Sequence, residues 1–469
     1  MMKIGFIGTG NMGGALASAA ARSGEVEVLL ANRTKAKAET LAERIGAVVS
    51  SNEIIAREAD HIFLGVKPQM IVDVLKGIAP ALKERKSAPV LISMVTGLDI
   101  ARIQELAGGD YPAIRIMPNM PAAVGEGLRR FAEHAGEPFA FGYMPNAGFP
   151  WAREQLAAHL SKEQGVALEA NDVLLTCGAA GGLNAFLRAV INPGEKMLTF
   201  APYFVEYGFY VANHGGSLQA IMSKPGTFEP DLDALEEAID EKTRVVLINS
   251  PHNPTGVVYS RKAVTSLCRL LENKSEQYGH PIWLIADEPY RFLTYDGVEV
   301  PSVLPLYQYA VVISSFSKNL SLPGERIGYI CVPDSVEDHQ AVYSAIAGAA
   351  RSCGHVCPPT LIQLTIARCA DETPDLAAYD ENRQLLYREL TEMGYQCAKP
   401  DGAFYLFVKA PGGDDEAFCE KAKREHNLLV VPGTGFECPG FVRLSYCVSN
   451  DMIRRSLPAF RELIAAYQS

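Results

Sequence analysis

The chain has 469 residues, of which 48% are hydrophobic and 21% are charged. This composition is typical of a globular protein, and the length suits two or more domains with separate cores. The formal net charge of −11 disfavours nucleic acid or an anionic membrane as a bulk partner, so we expect small-molecule ligands.

The cysteine pattern and the apolar segments exclude further classes. The ten cysteines lack a paired metal spacing and no histidine cluster joins them, so we expect reduced thiols and no metal site. The first residues, MMKIGFIG, enter a strand-like run without the features of a signal peptide, and no window matches a membrane helix. A cytoplasmic protein is therefore expected.

The first predicted unit begins with a short apolar strand, a glycine turn and an alanine-rich helix in KIGFIGTGNMGGALASAAARSG. Gly8, Gly10 and Gly13 fit the G-x-G-x-x-G spacing, in which glycines permit a tight turn and close approach of backbone to a pyrophosphate. Helix amino-terminal amides then face the anion. The pattern predicts a dinucleotide site that includes Asn11 and Met12, although a plain tight turn is the alternative.

The second strand ends in a basic segment rather than in an acidic residue. EVEVLLANRTKAKAE places Asn32, Arg33, Thr34 and Lys35 where an NAD-binding fold usually carries a carboxylate for the ribose hydroxyls. Arg33 and Lys35 favour a 2′-phosphate and therefore NADP(H). The alternative is that these are solvated charges at the start of a helix.

Further strands in HIFLGVKPQ and PVLISMVTG predict a Rossmann-like, doubly wound parallel sheet. GFIGTGNMG, VKP at 66–68 and RIMPNMPAAVGEG at 115–127 resemble the nucleotide-binding domain of pyrroline-5-carboxylate reductases. The resemblance covers residues 1–128 and then stops. The helical domain that carries the imine pocket and forms the dimer in that family has no counterpart here.

A second α/β region follows a polar junction, which we place at residues 129–140. Strands are predicted in DVLLTC, KMLTFAP, TRVVLINSP, IWLIADEPY and AVVISSFS, with helices between them. Polar residues stand at the strand ends, where open α/β sheets bind their ligands. These residues are Asn253, Asp287, Tyr290, Ser315, Ser317 and Lys318.

The motifs NSPHNPTG, DEPY, SFSKNLSLPGERIGY, KPDGAFYLF and FVRLSY resemble, in order and spacing, the fold-type I aminotransferases that use pyridoxal 5′-phosphate (PLP). The resemblance covers residues 139–469 and lacks that family's N-terminal arm. It implies a PLP-binding large domain at 141–340, a smaller C-terminal α+β domain at 341–469, and a homodimer.

The resemblance implies the catalytic residues. Lys318 corresponds to the Schiff-base lysine, Asp287 to the carboxylate that pairs with the pyridine nitrogen, and Tyr290 with Asn253 to the partners of the phenolic oxygen. A desolvated lysine beside a cationic cofactor loses its proton more easily, which suits this chemistry. Without the motifs, Lys318 would be interpreted as a solvated surface charge.

The remaining site residues are also implied by the resemblance. Phe204 corresponds to the aromatic residue that stacks on the cofactor ring, Tyr143 to the residue that reaches the neighbouring subunit's phosphate, and Arg443 to the arginine that binds the substrate α-carboxylate. The expected phosphate ligands are Arg326, Ser315, Ser317 and the backbone amides of Ala179 and Ala180.

These features predict ping-pong amino transfer between an amino acid and a 2-oxo acid, with PLP as cofactor and NADP(H) bound by the N-terminal domain. Two alternatives remain open: an NADP-dependent reductase of the pyrroline-5-carboxylate type, and a regulatory protein that binds cofactors without turnover. No basic helix-turn-helix module is visible in support of a DNA-binding regulator.

Overall fold

The computed structural model describes residues 2–22, 24–95, 98–116 and 143–468, without the side chains of Asn11 and Pro68. The chain divides into two compact units, Met1–Phe141 and Gly142–Ser469. The predicted junction at 129–140 and most of the RIMPNMPAAVGEG motif lie outside the described residues. The predicted domain boundaries therefore stay predictions.

The first unit alternates strands and helices around one parallel sheet. Its strand order, β3-β2-β1-β4-β5-β6, is the 3-2-1-4-5-6 order of dinucleotide-binding folds. The strands are β1 (Met2–Ile7), β2 (Val26–Ala31), β3 (Val48–Val49), β4 (His61–Leu64), β5 (Val90–Ser93) and β6 (Ala113–Arg115). The helices are α1 (Asn11–Arg22), α2 (Lys35–Ile45), α3 (Asn52–Glu58), α4 (Ile71–Lys83) and α5 (Ile100–Ala107).

Hydrophobic cores lie on both faces of this sheet because neighbouring strand residues point to opposite sides. Phe6 of β1 packs with Leu30 of β2 in the cluster that also contains Ala17 of α1. The next residue of β1, Ile7, belongs instead to the cluster that contains Ile55 of α3 and Leu75 of α4. The predicted doubly wound arrangement is confirmed.

The second unit begins with a larger α/β arrangement. Its strands are β7 (Val173–Thr176), β8 (Lys196–Ala201), β9 (Ser217–Met222), β10 (Thr243–Asn249), β11 (Trp283–Asp287), β12 (Ala310–Ser315) and β13 (Gly328–Cys331). Its helices are α6 (Pro150–Gln164), α7 (Gly178–Val190), α8 (Glu206–Ala212), α9 (Leu232–Ala238), α10 (Arg261–Tyr278), α11 (His339–Ser352) and α12 (Thr360–Cys369).

These strands form one sheet in the order β7-β13-β12-β11-β10-β8-β9. Strand β13 runs antiparallel to both of its neighbours, and the other pairings are parallel. Every residue of β11 and β12 is buried, as expected for strands covered on both faces. The sequence prediction missed β9, an edge strand with exposed positions, and β13.

A smaller α+β part completes the second unit. Antiparallel strands β14 (Tyr405–Lys409), β15 (Val431–Pro432) and β16 (Phe441–Ser445) pack with α13 (Leu376–Glu392), α14 (Asp415–His426) and α15 (Asn450–Gln468). Their core also contains Tyr290, from the segment after β11. The predicted fold class, a large PLP-transferase-like domain with a smaller C-terminal one, is confirmed.

The described residues contain neither a membrane-spanning helix nor a cluster of metal-ligating side chains. None of the helices in 2–116 or 143–468 that the structure describes combines the length and apolar character needed to cross a membrane. In the same part of the chain, no three His, Cys, Asp or Glu side chains are arranged to hold a metal ion.

Candidate active site

A cavity of about 380 Å³ lies at the carboxyl ends of the central strands of the second unit. It forms there because β10, β11 and β12 run parallel and end side by side at Asn249, Asp287 and Ser315. The predicted residues that line it are Ala179, Ala180, Phe204, Asn253, Asp287, Tyr290, Ser315, Ser317, Lys318, Arg326 and Arg443.

Asp287 is a buried carboxyl with one unused oxygen. Its Oδ2 accepts a hydrogen bond from the Tyr207 hydroxyl, whereas the buried Oδ1 has no hydrogen-bond partner among the described residues. Burial raises the pKa of Asp287 to about 7, with Tyr207 opposing this shift and the charge of Glu288 adding to it. The unused oxygen can accept an N–H from a bound group.

Asn249 connects the Asn253 turn to the end of β11. Its side-chain amide donates to the Asp287 carbonyl oxygen at 2.7 Å, and its Oδ1 accepts from the Asn253 N–H at 2.8 Å. Asn253 Oδ1 in turn accepts from Arg443 Nη1 at 2.9 Å. The two asparagines therefore join the large sheet to β16.

Tyr290 and Tyr405 form a buried pair of phenols whose hydroxyl oxygens are 2.8 Å apart. Burial raises the pKa of Tyr290 well above its usual value, and Tyr405 adds to the shift. Both phenols are therefore protonated at ordinary pH. One proton lies between the two oxygens, so the other can be donated into the cavity.

Lys318 lies just beyond β12 and is half-buried. Its Nζ is 5.6 Å from the centre of the Phe404 ring. Burial lowers the pKa of Lys318; the positive charge of Arg443 adds to this effect and Cys447 opposes it. The amine therefore loses its proton more readily than a surface lysine does.

One end of the cavity is rich in hydrogen-bond donors. Helix α7 begins at Gly178 and directs its first amides there, and Arg326 stands beside them. A Cβ at Gly178 would lie 2.5 Å from Arg326 Nη2, so a glycine is required for this approach. Arg326 adopts a left-handed backbone conformation, with φ of 51°, and donates to the Pro323 carbonyl at 2.9 Å. This end suits a phosphate group.

Arg443 is held on several sides. Its guanidinium carbon lies 4.7 Å from the Tyr405 ring centre and 4.8 Å from that of Phe436. Nε is buried and unpartnered within the described part of the chain. The planar group is thus fixed in orientation and keeps donors for a carboxylate, the geometry that a guanidinium fork favours.

Tyr143 lies outside this cavity. It is fully exposed and borders a separate depression of about 730 Å³ together with Met144, Arg351 and Cys357. Phe204 does line the main cavity and makes an edge contact with Tyr207, their ring centres 5.6 Å apart. The expected role of Tyr143 in a neighbouring subunit's site remains a prediction.

The first unit contains the glycine turn. Gly8 has φ of 95°, and a Cβ at Gly13 would lie 2.1 Å from the Gly8 carbonyl oxygen, whereas a Cβ at Gly10 would meet no described atom within 4 Å. Gly10 therefore leaves room for a ligand. The Asn32 side chain accepts from the Thr9 N–H at 3.3 Å.

The predicted 2′-phosphate residues stand at the end of β2. Arg33 and Thr34 are exposed there. Lys35 makes an exposed ion pair with Glu39, at 3.1 Å. Met12 lies in α1 beside the turn, and the side chain of Asn11 is outside the description. The geometry leaves Arg33 accessible to a nucleotide.

A family model described as aminotransferase class I and II matches residues 105–460. The chain belongs to the class I and II aminotransferase family. It is therefore a PLP-dependent transaminase by family membership. A second model, described as NADP oxidoreductase coenzyme F420-dependent, matches residues 3–97 of this aminotransferase. The two matches support the predicted fusion of an NADP-binding domain with a PLP enzyme.

Relatives that are named as aminotransferases match about two thirds of the chain. An aspartate/prephenate aminotransferase of Thermus thermophilus is 31% identical over 69% of this chain and 83% of its own. An aspartate aminotransferase of Thermotoga maritima is 32% identical over the same shares. The crystal structure of an aminotransferase from Eubacterium rectale has a TM-score of 0.71 and 45% identity, covering 74% of this chain and 87% of that one.

The residues of this aminotransferase cavity fit PLP. Asp287 Oδ1 provides an acceptor for a protonated pyridine nitrogen, and the α7 end with Arg326 provides donors for a phosphate. Lys318 lies in the same cavity with a lowered pKa, as an amine that bonds covalently to an aldehyde requires.

Sequence reasoning assigned no role to several residues that shape the site. Asn249 ends a strand, like Asp287, and the same strand-end argument would have found it. Tyr405 stands inside the recognised KPDGAFYLF motif. Tyr207 carries no comparable pattern, because its contact with Asp287 joins residues 80 positions apart.

Proposed function

We propose that this aminotransferase transfers an amino group between an amino acid and a 2-oxo acid by a ping-pong mechanism. The observation that carries the proposal is the convergence of Lys318, the unused Asp287 oxygen and Arg443 on one cavity. When bound, PLP supplies an electron sink for the substrate's α-carbon and stores the amino group between the two half-reactions.

The side chains divide the work of proton transfer. Lys318, whose pKa is lowered by burial, would remove the proton from the substrate α-carbon and pass it on to the cofactor, so that the α-carbon can become the 2-oxo carbon. Asp287, held by Tyr207, keeps a proton on the pyridine nitrogen. Tyr290 and Asn253 hydrogen-bond the phenolic oxygen.

Binding residues hold the two anionic ends of the reacting complex. Arg326, Ser315, Ser317 and the amides of Ala179 and Ala180 bind the cofactor phosphate, and the ring of Phe204 packs on the cofactor. Arg443 binds the α-carboxylate of the substrate. Fixing both ends orients the α-carbon toward Lys318.

The experiment is an absorbance spectrum of the purified protein before and after addition of single amino acids. The relatives act on aspartate and prephenate according to their names, so aspartate, glutamate and aromatic amino acids form the first panel. A visible band that an amino acid bleaches and a 2-oxo acid restores supports the proposal. A colourless protein that takes up no added PLP contradicts it.

For the first unit, we propose NADP(H) binding at the turn of Gly8, Gly10 and Gly13, with Arg33 near the 2′-phosphate. The open space at Gly10 supports this site. The resemblance to pyrroline-5-carboxylate reductases makes reductase activity the second candidate. Hydride transfer requires a placed acceptor. In that family the imine pocket lies in the helical domain, which the resemblance over residues 1–128 does not cover, so we expect binding without appreciable reduction. Calorimetric titration with NADPH and NADH tests this.

We also propose that the active species is a homodimer, with Tyr143 contributing to the site of the neighbouring subunit. Its full exposure and its position outside the chain's own cavity support this role. Sedimentation that shows a fully active monomer contradicts it.

A further inference from the structure

The loop between β8 and α8, which carries Phe204 into the cavity, is anchored at Pro202 and Tyr203. The buried imidazole of His252 donates to the Pro202 carbonyl oxygen. The Tyr203 N–H donates to the Phe436 carbonyl at 3.2 Å, and the Tyr203 hydroxyl donates to Glu437 Oε1 at 3.0 Å. Both Tyr203 contacts reach the loop before β16.

That second loop, residues 433–440, is itself held firmly. The buried carboxylate of Asp415 accepts from the Thr434 N–H at 2.7 Å and from the Gly440 N–H at 2.8 Å. Between these anchors, the Phe436 ring packs on the guanidinium of Arg443 at 4.8 Å. A displacement of this loop would therefore move a surface against which Arg443 rests.

A continuous path of contacts thus joins Phe204 to Arg443. It runs from Phe204 to the adjacent Tyr203, across the hydrogen bond to Glu437, to the adjacent Phe436 and onto the guanidinium. Tyr203, Phe436 and Glu437 do not line the cavity themselves. They can affect it only through their neighbours.

We propose that Tyr203 and Glu437 are positioning residues that hold the carboxylate-binding Arg443 at a fixed place relative to Phe204. The inference rests on the proposed function, which assigns substrate binding to Arg443 and cofactor packing to Phe204. We therefore expect substitution of Tyr203 or Glu437 to change the affinity for the substrate and not the rate of proton transfer.

The hydrogen bond from the Tyr203 hydroxyl to Glu437 is suited to a permanent structural contact. Tyr203 is buried and Glu437 is exposed. Burial raises the pKa of Tyr203 to about 12, and Glu437 adds to the shift, so the phenol remains a donor throughout the working range of pH. Solvent can compete only at the Glu437 end.

The test compares Tyr203→Phe with the wild-type holoenzyme. Loss of one hydrogen bond to a charged acceptor should raise KM for the amino acid about five- to tenfold. The kcat and the visible absorption maximum should remain unchanged, because Lys318 and Asp287 are untouched. Glu437→Ala should match this result, Glu437→Gln should retain most of the affinity, and the double variant should be no worse than either single variant.

Tyr309→Phe is the matched control. Tyr309 also donates to a glutamate, Glu337, and the pKa of its phenol is also raised to about 12, here chiefly by that hydrogen bond. It directly precedes β12, at the end opposite the cavity. Loss of the Tyr309–Glu337 hydrogen bond should therefore leave KM for the amino acid unchanged.

Amide hydrogen exchange provides a readout independent of the cofactor. In cofactor-free protein, peptides over 433–440 should exchange faster in Tyr203→Phe than in Tyr309→Phe. Equal KM and equal exchange in the two variants would overturn the inference. If Tyr203→Phe fails to fold, the exposed Glu437→Ala decides the question by the same measurements. A wild-type protein without PLP absorption or transamination contradicts the proposed function, whereas the exchange comparison still decides this contact.

Discussion

Replacing Asp287 by asparagine should stabilise the cofactor-free protein at pH 8 while abolishing transamination. The carboxyl is buried, receives one hydrogen bond from Tyr207, and has an unused oxygen among the described atoms. An asparagine oxygen can still accept from Tyr207. It cannot hold a proton on the pyridine nitrogen, so the electron sink is lost.

The magnitude follows from the pKa of Asp287, which burial raises from 3.8 to about 7. Between these values the folded state keeps its proton while the unfolded chain has lost it, so the free energy of unfolding falls as pH rises. At 1.36 kcal/mol per pKa unit, the wild type loses about 1.5 kcal/mol by pH 5 and about 4 kcal/mol by pH 8. In Asp287→Asn, burial of the asparagine NH₂ lowers the free energy of unfolding by about 1–3 kcal/mol at both pH values.

The quantity to test is therefore how the stability difference between Asp287→Asn and wild type changes with pH. The stability of Asp287→Asn relative to wild type should rise by about 2.5 kcal/mol between pH 5 and pH 8. Guanidinium unfolding followed by tryptophan fluorescence measures it, because the two tryptophans, Trp151 and Trp283, both lie in the second unit.

Asp415→Asn is the matched control, since Asp415 is also buried. Burial acts to raise the pKa of Asp415, but hydrogen bonds from Gly440 and Thr434 outweigh burial and leave the pKa below its usual range. The ionised Asp415 carboxylate therefore stops contributing to the free energy of unfolding only in acid, so Asp415→Asn should be destabilised equally at pH 5 and pH 8. A stability difference for Asp287→Asn that does not change with pH would refute the reasoning.

Three further predictions concern the Schiff-base lysine, the substrate carboxylate site and the nucleotide site. Lys318→Ala should abolish transamination and the visible absorption that depends on a covalent bond to the lysine. Substitution of an exposed lysine, Lys409→Ala, should leave both intact. Turnover by Lys318→Ala would contradict the role assigned to Lys318. Arg443→Lys should raise KM for amino acids about ten- to a hundredfold with a smaller effect on kcat, and an unchanged KM in steady-state assays would exclude it as the carboxylate ligand. Gly10→Asp should abolish NADPH binding in calorimetry, because the new side chain fills the open space with a negative charge, and Arg33→Ala should reduce the preference for NADPH over NADH. Steady NADPH oxidation on addition of pyrroline-5-carboxylate, lost in Gly10→Asp, would instead show that the first unit is a reductase.

Much of the fold could be predicted because strands and glycine turns leave local patterns. The run ending at Ala31 and the spacing of Gly8, Gly10 and Gly13 predicted the first sheet and its turn. Strand β13 was missed because it begins inside the segment rich in Ser, Gly and Pro that carries Lys318, which indicates a turn or loop. Strand β9 was missed because an edge strand with exposed positions lacks the continuous apolar run of its neighbours.

The sequence by itself determined the chemistry-bearing residues of the second unit, since Lys318, Asp287 and Arg443 stand in motifs readable without a fold. Only the tertiary structure decided their surroundings. The Tyr203–Glu437 hydrogen bond joins residues 234 positions apart, and the raised pKa of Asp287 depends on burial by segments distant in the chain. Neither leaves a local pattern, because hydrogen-bond partners and desolvation are set by which strands and loops become neighbours in space.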